Sequence, residues 1–213
     1  MSKRPDNEEE FQEREATGVI RASRFVREYA RTHKPITMET VCEIHKEIFR
    51  DAWFEIAGIY RDENLEITDS SHLPPHHSEV RDQMNQEEVL FLEKLKKLKS
   101  VEGIRLVDEE VTDEISEQID HIVTVAAWIH HTITHIHPFR EGNGRVARLA
   151  ANLILERHGL IGISIKIEKE NKNRYRKALA QIDKAQDYEP LESIIYEGLI
   201  DRYDGVSMKY YSE

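Results

Sequence analysis

Cysteine is almost absent from this chain, with Cys42 the only one among 213 residues. A single cysteine cannot form an intramolecular disulfide, and it excludes a zinc site built on several thiolates. Its surroundings, TVCEIHKEIF at residues 40–49, follow an apolar helical pattern, which favours a packing role over a nucleophilic one. Such cysteine usage is typical of a reducing compartment, and we therefore expect the protein in the cytoplasm.

Long apolar runs and an excess of positive charge are missing as well. The longest apolar stretch, residues 122–129, is far shorter than the roughly 20 residues that cross a bilayer. Residues 1–12 contain no apolar segment of a secretory signal. Lys and Arg total 30 against 41 Asp and Glu, a formal net charge of −11. Because an acidic surface repels nucleic acid and anionic membrane, we expect neither as a general partner.

The patterning predicts an all-α protein made of one compact helical bundle. Hydrophobic residues make up 39% and charged residues 33%, a balance that suits a globular chain. Apolar residues recur at helical spacing in seven segments. These segments cover about 15–32, 37–49, 78–98, 115–136, 143–158, 169–183 and 189–203.

One segment departs from the helical pattern. Residues 64–68, NLEIT, alternate in polarity as a strand does, and the turn-rich stretch that follows is stiffened by Pro74 and Pro75. We therefore predict a short β-hairpin flap over 64–77. For the chain as a whole we expect a flexible N-terminus at 1–14, a single domain at 15–204 and a tail at 205–213.

The most informative segment is HPFREGNGRVAR at residues 137–148, where one predicted helix ends and the next begins. Gly142 and Gly144 allow the backbone to approach a ligand closely. The first backbone N–H groups of the new helix have no intrahelical acceptor and point outward. Together with the helix dipole, these amides predict an anion site suited to phosphate.

Polar side chains around this loop extend the prediction. Asn143 can bridge a phosphate oxygen or cap the helix, and Arg145 and Arg148 lie on one side of it, which suggests a polyphosphate. Glu141 is a hard oxygen ligand suited to Mg²⁺ between phosphates, and His137 can take a proton from an attacking hydroxyl. The set indicates nucleotidyl or phosphoryl transfer. An ordinary helix–loop–helix turn would leave this convergence unexplained.

The segment HPFREGNGRVAR resembles the Fic-family signature H-x-F-x-[D/E]-G-N-G-R-x-x-R at every defined position. Residues 44–49, 57–61 and 173–179 resemble segments that flank this signature in the family, and the resemblance covers roughly residues 20–203. It implies a Fic-type helical bundle with a β-hairpin flap. It also implies transfer of AMP from ATP to a Tyr, Thr or Ser hydroxyl of a target protein.

The resemblance assigns a role to each motif residue. His137 would deprotonate the target hydroxyl, and Glu141 would hold Mg²⁺ against the α- and β-phosphates. Asn143 would contact the α-phosphate, and the two arginines would hold the β- and γ-phosphates. The nucleotide phosphates would thus be bound by Gly142, Asn143, Gly144, Arg145 and Arg148.

Residues outside the motif receive roles from the same resemblance. Tyr175, with Asn171 or Arg174 near it, would form the adenine side of the nucleotide site. The flap would align the target segment by strand addition. Its docking residues would be Leu65, Ile67 and His72.

The segment SIIYEG at 193–198 resembles an inhibitory pattern found in many Fic proteins. Ser193 and Glu197 would lie on one helix face, and Glu197 would pair with Arg148 and displace the γ-phosphate. The same segment also fits a last core helix, and the two interpretations stay open. A separate antitoxin-like protein could supply the glutamate instead, and homo-oligomerisation is equally open.

Several alternatives to AMP transfer remain at this point. Relatives of Doc type carry lysine where this chain has Gly144 and act as kinases, so Gly144 favours AMP transfer. Removal of AMP from modified proteins, transfer of another phosphate-containing group and a non-catalytic nucleotide-binding module are the alternatives. A zinc site at His131 and His135 is disfavoured, because the local sequence supplies no fourth ligand.

Overall fold

Helices dominate the computed structural model, which describes residues 3–68, 70, 72–101, 112–165 and 170–210. Within these residues there are seven α-helices, and the predicted all-α class is confirmed. Their bounds are α1 Glu8–Ala30, α2 Met38–Phe49, α3 Val80–Leu95, α4 Asp113–Ile136, α5 Asn143–Arg157, α6 Glu170–Ala185 and α7 Glu189–Tyr210. Two single-turn 3₁₀ helices cover Phe54–Ile56 and His77–Glu79.

The centre of the bundle is the pair α4 and α5, joined by residues 137–142. Thr112 caps α4 by accepting a hydrogen bond from the Ile115 amide, and the helix is buried around most of its second half. Helices α1, α2, α3, α6 and α7 surround this pair. In the described part of the chain, no helix is both long enough and apolar enough to cross a membrane.

Helix α1 begins at Glu8, so the predicted domain boundary at residue 15 falls inside it. The Asn7 side chain caps the helix, and three glutamates in its first turn interact favourably with the helix dipole. Phe11 is already buried. Apolar periodicity misses this start because the first turn is entirely charged. Farther along, Gly18 lets α1 pack tightly on α2, since a Cβ there would lie 1.9 Å from the Ile48 carbonyl oxygen.

The predicted β-hairpin flap is wrong, because none of the described residues between 64 and 77 forms a strand. The predicted alternation is present: Leu65 and Ile67 are half-buried, while Asn64 and Glu66 are exposed. A hairpin would also need a returning strand across residues 70–76. Pro74 and Pro75 lie in that stretch and have no N–H to donate to a ladder. The segment therefore crosses the bundle as irregular backbone.

Helix α7 extends the predicted last helix by one to two turns. The predicted tail at 205–213 is helical as far as Tyr210, and residues 211–213 lie outside the described residues. Leu191, Ile195 and Leu199 are buried where α7 packs against α4 and α6. This segment therefore has the packing of a core helix.

Candidate active site

His137 ends α4 in a left-handed conformation, with φ 53° and ψ 56°. Histidine tolerates this region better than most residues. The ring Nδ1 lies 3.3 Å from the Thr134 carbonyl oxygen. Because a carbonyl can only accept, Nδ1 carries the proton and Nε2 keeps a free lone pair. Burial lowers the pKa of the imidazole, so the ring is neutral near pH 7.

Arg61 is buried beneath the His137 loop, and sequence reasoning missed it. Its Nε donates to the His137 carbonyl at 2.8 Å, and its two Nη atoms donate to the Glu63 carbonyl at 2.9 Å and the Pro75 carbonyl at 2.6 Å. Its backbone N–H also donates to the Pro138 carbonyl at 2.9 Å. One side chain therefore ties the loop after α4 to both ends of the irregular segment.

His45 on α2 supports the other half of the loop and was also missed as a site residue. Its Nδ1 accepts from the Gly58 amide at 2.9 Å, so Nε2 carries the proton and donates to the Glu141 carbonyl at 3.1 Å. Its ring stacks on Phe139 with centroids 4.0 Å apart. Burial lowers the pKa of His45 from its ordinary 6.5 to about 3, so the ring stays neutral.

The turn into α5 depends on Gly142, which has φ 77°. A Cβ at this position would approach the Phe49 ring to 2.5 Å, so only glycine fits. The Val146 amide makes the first i→i−4 bond, to the Gly142 carbonyl at 3.0 Å. The amides of Asn143 and Gly144 precede that bond and lie at the positive end of the helix, as the anion-site prediction requires.

Asn143 has a different contact from the predicted one. Its side-chain oxygen accepts from the Phe139 amide at 2.8 Å, and its side-chain nitrogen donates to the Phe139 carbonyl at 2.7 Å. The residue is only 2% exposed. The Asn143 side chain therefore shapes the loop from inside, and its phosphate contact stays a prediction.

Arg145 is held by two carboxylates. It forms an ion pair with Glu15 of α1, and its Nη2 lies 3.2 Å from Glu141 Oε1. Glu15 is 8% exposed, and burial raises its pKa against the opposing effect of Arg145. The residue that was predicted to start the domain thus belongs to the site. A charged residue on the apolar face of α1 was the available signal for it.

Arg148 lies one turn farther along α5 and is positioned by a phenol. It hydrogen-bonds the buried Tyr175, and the Tyr175 hydroxyl lies 3.2 Å from His130 Nε2. An arginine can only donate, so Arg148 donates to the Tyr175 oxygen. The Tyr175 hydroxyl proton is then available to His130. Burial lowers the pKa of His130 to about 3, so the ring is neutral and can accept this proton at Nε2. Tyr175 therefore contacts a phosphate-binding candidate directly.

A cleft of about 670 Å³ opens beside these residues. Its walls include His137, Gly144, Tyr175, Ile67 and His72, so α4, α5, α6 and the irregular segment all contribute. The cleft thus brings His137, Gly144 and Tyr175 together with two of the residues expected to dock the target, Ile67 and His72. The third docking candidate, Leu65, is half-buried two residues before Ile67.

The other two adenine-side candidates line a different cleft from Tyr175. Asn171 and Arg174 line a second cleft of about 340 Å³ together with Glu197. Arg174 makes a bidentate ion pair with Glu197, with N–O distances of 2.5 and 2.6 Å. Glu197 thus pairs with α6, whereas the sequence suggested Arg148, and Ser193 is half-buried one turn earlier on α7.

Comparisons with known proteins agree on one family. The model described as "Fic/DOC family" matches residues 35–155. A protein named "Protein adenylyltransferase Fic" from Nematostella vectensis is 30% identical over 72% of this chain, and the match spans 31% of that relative's length. Fic-1 (residues 134–508) from C. elegans superposes with a TM-score of 0.66 at 22% identity, covering 100% of this chain and 56% of that one.

A further solved structure contains a nucleotide. It is the N-terminal Fic domain of a VirB-translocated Bep effector protein from Bartonella quintana, with bound ADP. It superposes with a TM-score of 0.62 at 18% identity, covering 91% of this chain and 86% of that chain. At these identities, the two solved structures support the fold.

Arg61→Ala tests the buried guanidinium. We expect the free energy of unfolding, measured by chemical denaturation, to fall by about 3 kcal/mol or more, because several backbone carbonyls lose a charged donor. The matched control is Arg140→Ala, which removes a half-exposed arginine paired with Glu63 and should cost under about 1 kcal/mol. Equal losses in the two variants would contradict the role of Arg61.

Buried His45 makes stability depend on pH. Its pKa is lower in the folded state, so its contribution is complete above about pH 6.5 and is lost as the pH falls toward 3. We expect His45→Gln to flatten the fall in unfolding free energy between pH 7 and pH 5, by up to about 1.4 kcal/mol per pH unit. Exposed His121→Gln is the control, and its slope should match the wild type. A His45→Gln slope equal to the wild-type slope would show that His45 protonates normally.

Proposed function

The chain belongs to the Fic/DOC family, and on that premise we propose that it is a protein adenylyltransferase, which moves AMP from ATP to a hydroxyl side chain of a target protein. The observation that carries the proposal is the meeting of a neutral histidine with the N-terminus of α5 in one cleft. The name of the Nematostella relative supports the same reaction. For this chain, a cytoplasmic location and a protein target that presents a hydroxyl side chain belong to the same proposal.

His137 is the general base of the proposed reaction. Its free Nε2 takes the proton of the target Ser, Thr or Tyr hydroxyl as that oxygen attacks the α-phosphorus of ATP. The new O–P bond forms while the bond from the α-phosphorus to the bridging oxygen breaks, and pyrophosphate leaves with that oxygen. The lowered pKa supports this role, because the base must be unprotonated at neutral pH.

The phosphates are bound by the start of α5. The amides of Asn143 and Gly144 stabilise negative charge that develops on the α-phosphate, and the Gly142 amide joins them on leaving Glu141 Oε1. Arg148 binds the terminal phosphates. Tyr175 fixes the Arg148 guanidinium before the nucleotide arrives, which reduces the entropy lost on binding. Arg145 can join only by loosening its contacts with Glu15 and Glu141.

Glu141 would hold Mg²⁺ in this proposal. The residue fits, because its half-exposed carboxylate lies at the first turn of α5, and Mg²⁺ usually takes one or two carboxylates plus substrate phosphates. The bound ion would neutralise charge on the phosphates. Glu141 is also positioned independently of any ion, since its backbone carbonyl accepts from His45.

The irregular segment is the proposed docking surface for the target. Residues 64–68 alternate in burial and are outside any strand, so their backbone suits pairing with an extended target segment. Ile67 and His72 lie in the wall of the same cleft as His137. A segment paired there would carry its hydroxyl toward the base. Tyr175 remains the adenine-side candidate, since Asn171 and Arg174 line the second cleft.

We also propose that Glu197 regulates Arg148. Arg174, its partner, precedes Tyr175 on α6, and Tyr175 holds Arg148. If Glu197 left Arg174 and paired with Arg148, it would block the site of the terminal phosphate and inhibit the enzyme. While Glu197 stays paired with Arg174, the enzyme would be active. An antitoxin-like protein or a second copy of the chain could favour either state.

Labelled nucleotides test the transfer. With α-³²P-ATP, Mg²⁺ and cell lysate, we expect acid-stable label on protein above that of lysate alone, and with γ-³²P-ATP no label above that of lysate alone, because pyrophosphate leaves. His137→Asn keeps a residue that tolerates the left-handed backbone and should reduce labelling by about 100-fold or more. His121→Asn, exposed on the same helix, should label as the wild type. Label from γ-³²P-ATP would indicate a kinase, and full labelling by His137→Asn would refute the base.

Variants of Arg174 and Glu197 test whether Glu197 inhibits the enzyme through Arg148. We expect Arg174→Ala to lower auto-modification, because Glu197 loses its competing partner, and Glu197→Gly to raise it. The double variant should behave as Glu197→Gly, since the inhibitory carboxylate is gone. Mass spectrometry of the modified enzyme measures each rate. Unchanged rates in all three variants would leave α7 with a packing role alone.

A further inference from the structure

Three histidines and one aspartate meet in the wall of the cleft, and only two of the histidines, His131 and His135, were paired in the sequence analysis. His131 and His135 come from α4, Asp183 comes from α6, and His72 comes from the irregular segment. His131 Nε2 lies 2.9 Å and His135 Nδ1 lies 2.7 Å from Asp183 Oδ1. His72 Nδ1 lies 4.0 Å from Asp183 Oδ2.

The spacing of these atoms suits a transition-metal ion. One ligand atom each from His72, His135 and Asp183 lies within 4.8 Å of the others. A tetrahedral ion with bonds of about 2.0 Å needs donor atoms about 3.3 Å apart. His135 Nδ1 lies 2.7 Å from Asp183 Oδ1 and His72 Nδ1 lies 4.0 Å from Asp183 Oδ2, on either side of that value. Because all three donor atoms lie within 4.8 Å of one another, side-chain shifts on the order of 1 Å would bring the set to metal-binding distances.

The outer contacts are those that metal-binding histidines usually make. The second ring nitrogen of His72, Nε2, lies 2.7 Å from the His135 carbonyl oxygen, so it donates and leaves Nδ1 free for a metal. His131 Nε2 bonds Asp183 Oδ1, the same oxygen that faces His135, and so orients the carboxylate. Each of the three candidate ligands is half-buried, which limits competition from water while leaving an entry path.

We propose that His72, His135 and Asp183 form a binding site for one Zn²⁺-class ion, with His131 as the positioning residue for the carboxylate. Two imidazoles and a carboxylate favour Zn²⁺ over Mg²⁺, which prefers oxygen ligands. This site is separate from the proposed Mg²⁺ at Glu141. It also stands independently of the proposed AMP transfer, since it depends on binding alone.

The ion would act as a clamp between three parts of the fold. His72 belongs to the irregular segment, whereas the other ligands belong to α4 and α6. Coordination would fix that segment against two core helices at the wall of the cleft that contains His137. Metal binding would therefore set the position of the surface that borders the candidate active site.

Binding of Zn²⁺ to the untagged, full-length chain in Mg²⁺-free buffer tests the proposal. Isothermal titration should give one site per chain, and Zn²⁺ should raise the melting temperature. His72→Ala, His135→Ala and Asp183→Asn should each weaken binding by more than about tenfold, and His131→Ala by about 10- to 100-fold. Co²⁺ bound in place of Zn²⁺ should show the visible absorption of a tetrahedral site.

The controls separate this site from other histidines and from misfolding. His121→Ala and His77→Ala remove histidines outside the cluster and should bind as the wild type. Circular dichroism without metal checks each fold, and His72→Ala alters only the irregular segment. Millimolar Mg²⁺ should not displace Zn²⁺. No saturable Zn²⁺ binding, or wild-type affinity in any ligand variant, would overturn the proposal.

Discussion

The guanidinium of Arg61 is the constraint on which the candidate site depends. Arg61 is 4% exposed, and its side chain donates to backbone carbonyls of the loop after α4 and of both ends of the irregular segment. Backbone carbonyls in irregular segments otherwise need water, and a buried loop without donors would be unstable. By satisfying them with one planar side chain, the protein can keep a non-helical turn at His137 and an irregular segment against the core. His45 does the same for Glu141 with a neutral ring.

Local patterns predicted the parts of the fold that local interactions determine. The bounds of α4 and α5 were predicted from apolar periodicity and the glycine turn, and the structure agrees within a few residues. The motif also placed His137, Gly142 and Arg148 around one helix N-terminus. What the sequence missed comes from contacts far apart in the chain. Arg61 and Glu15 act on residues more than 70 positions away, and no spacing rule relates such pairs.

In two places the sequence pattern did not reveal which partner a residue or segment contacts in the fold. An alternating segment was read as half of a hairpin, but alternation reports burial on one side and says nothing about a partner strand. The resemblance implied a phosphate contact for Asn143, which stays a prediction, while both hydrogen-bonding atoms of its side chain bond the buried Phe139 backbone. The net charge of the chain does not describe the charge around the candidate site. Although the chain is acidic, two arginines lie near the start of α5, and Arg145 is paired there with the carboxylates of Glu15 and Glu141.

The left-handed backbone at His137 has an evolutionary consequence. Asparagine tolerates that conformation about as well as histidine, and a single base change converts one codon into the other. Under the proposed function, descendants could therefore lose the base while the scaffold, the proposed nucleotide site and the proposed docking surface stay folded. Such copies would compete with the parent chain for the partners that the proposal assigns to it. The geometry that presents the imidazole thus also provides a short mutational path to pseudoenzymes.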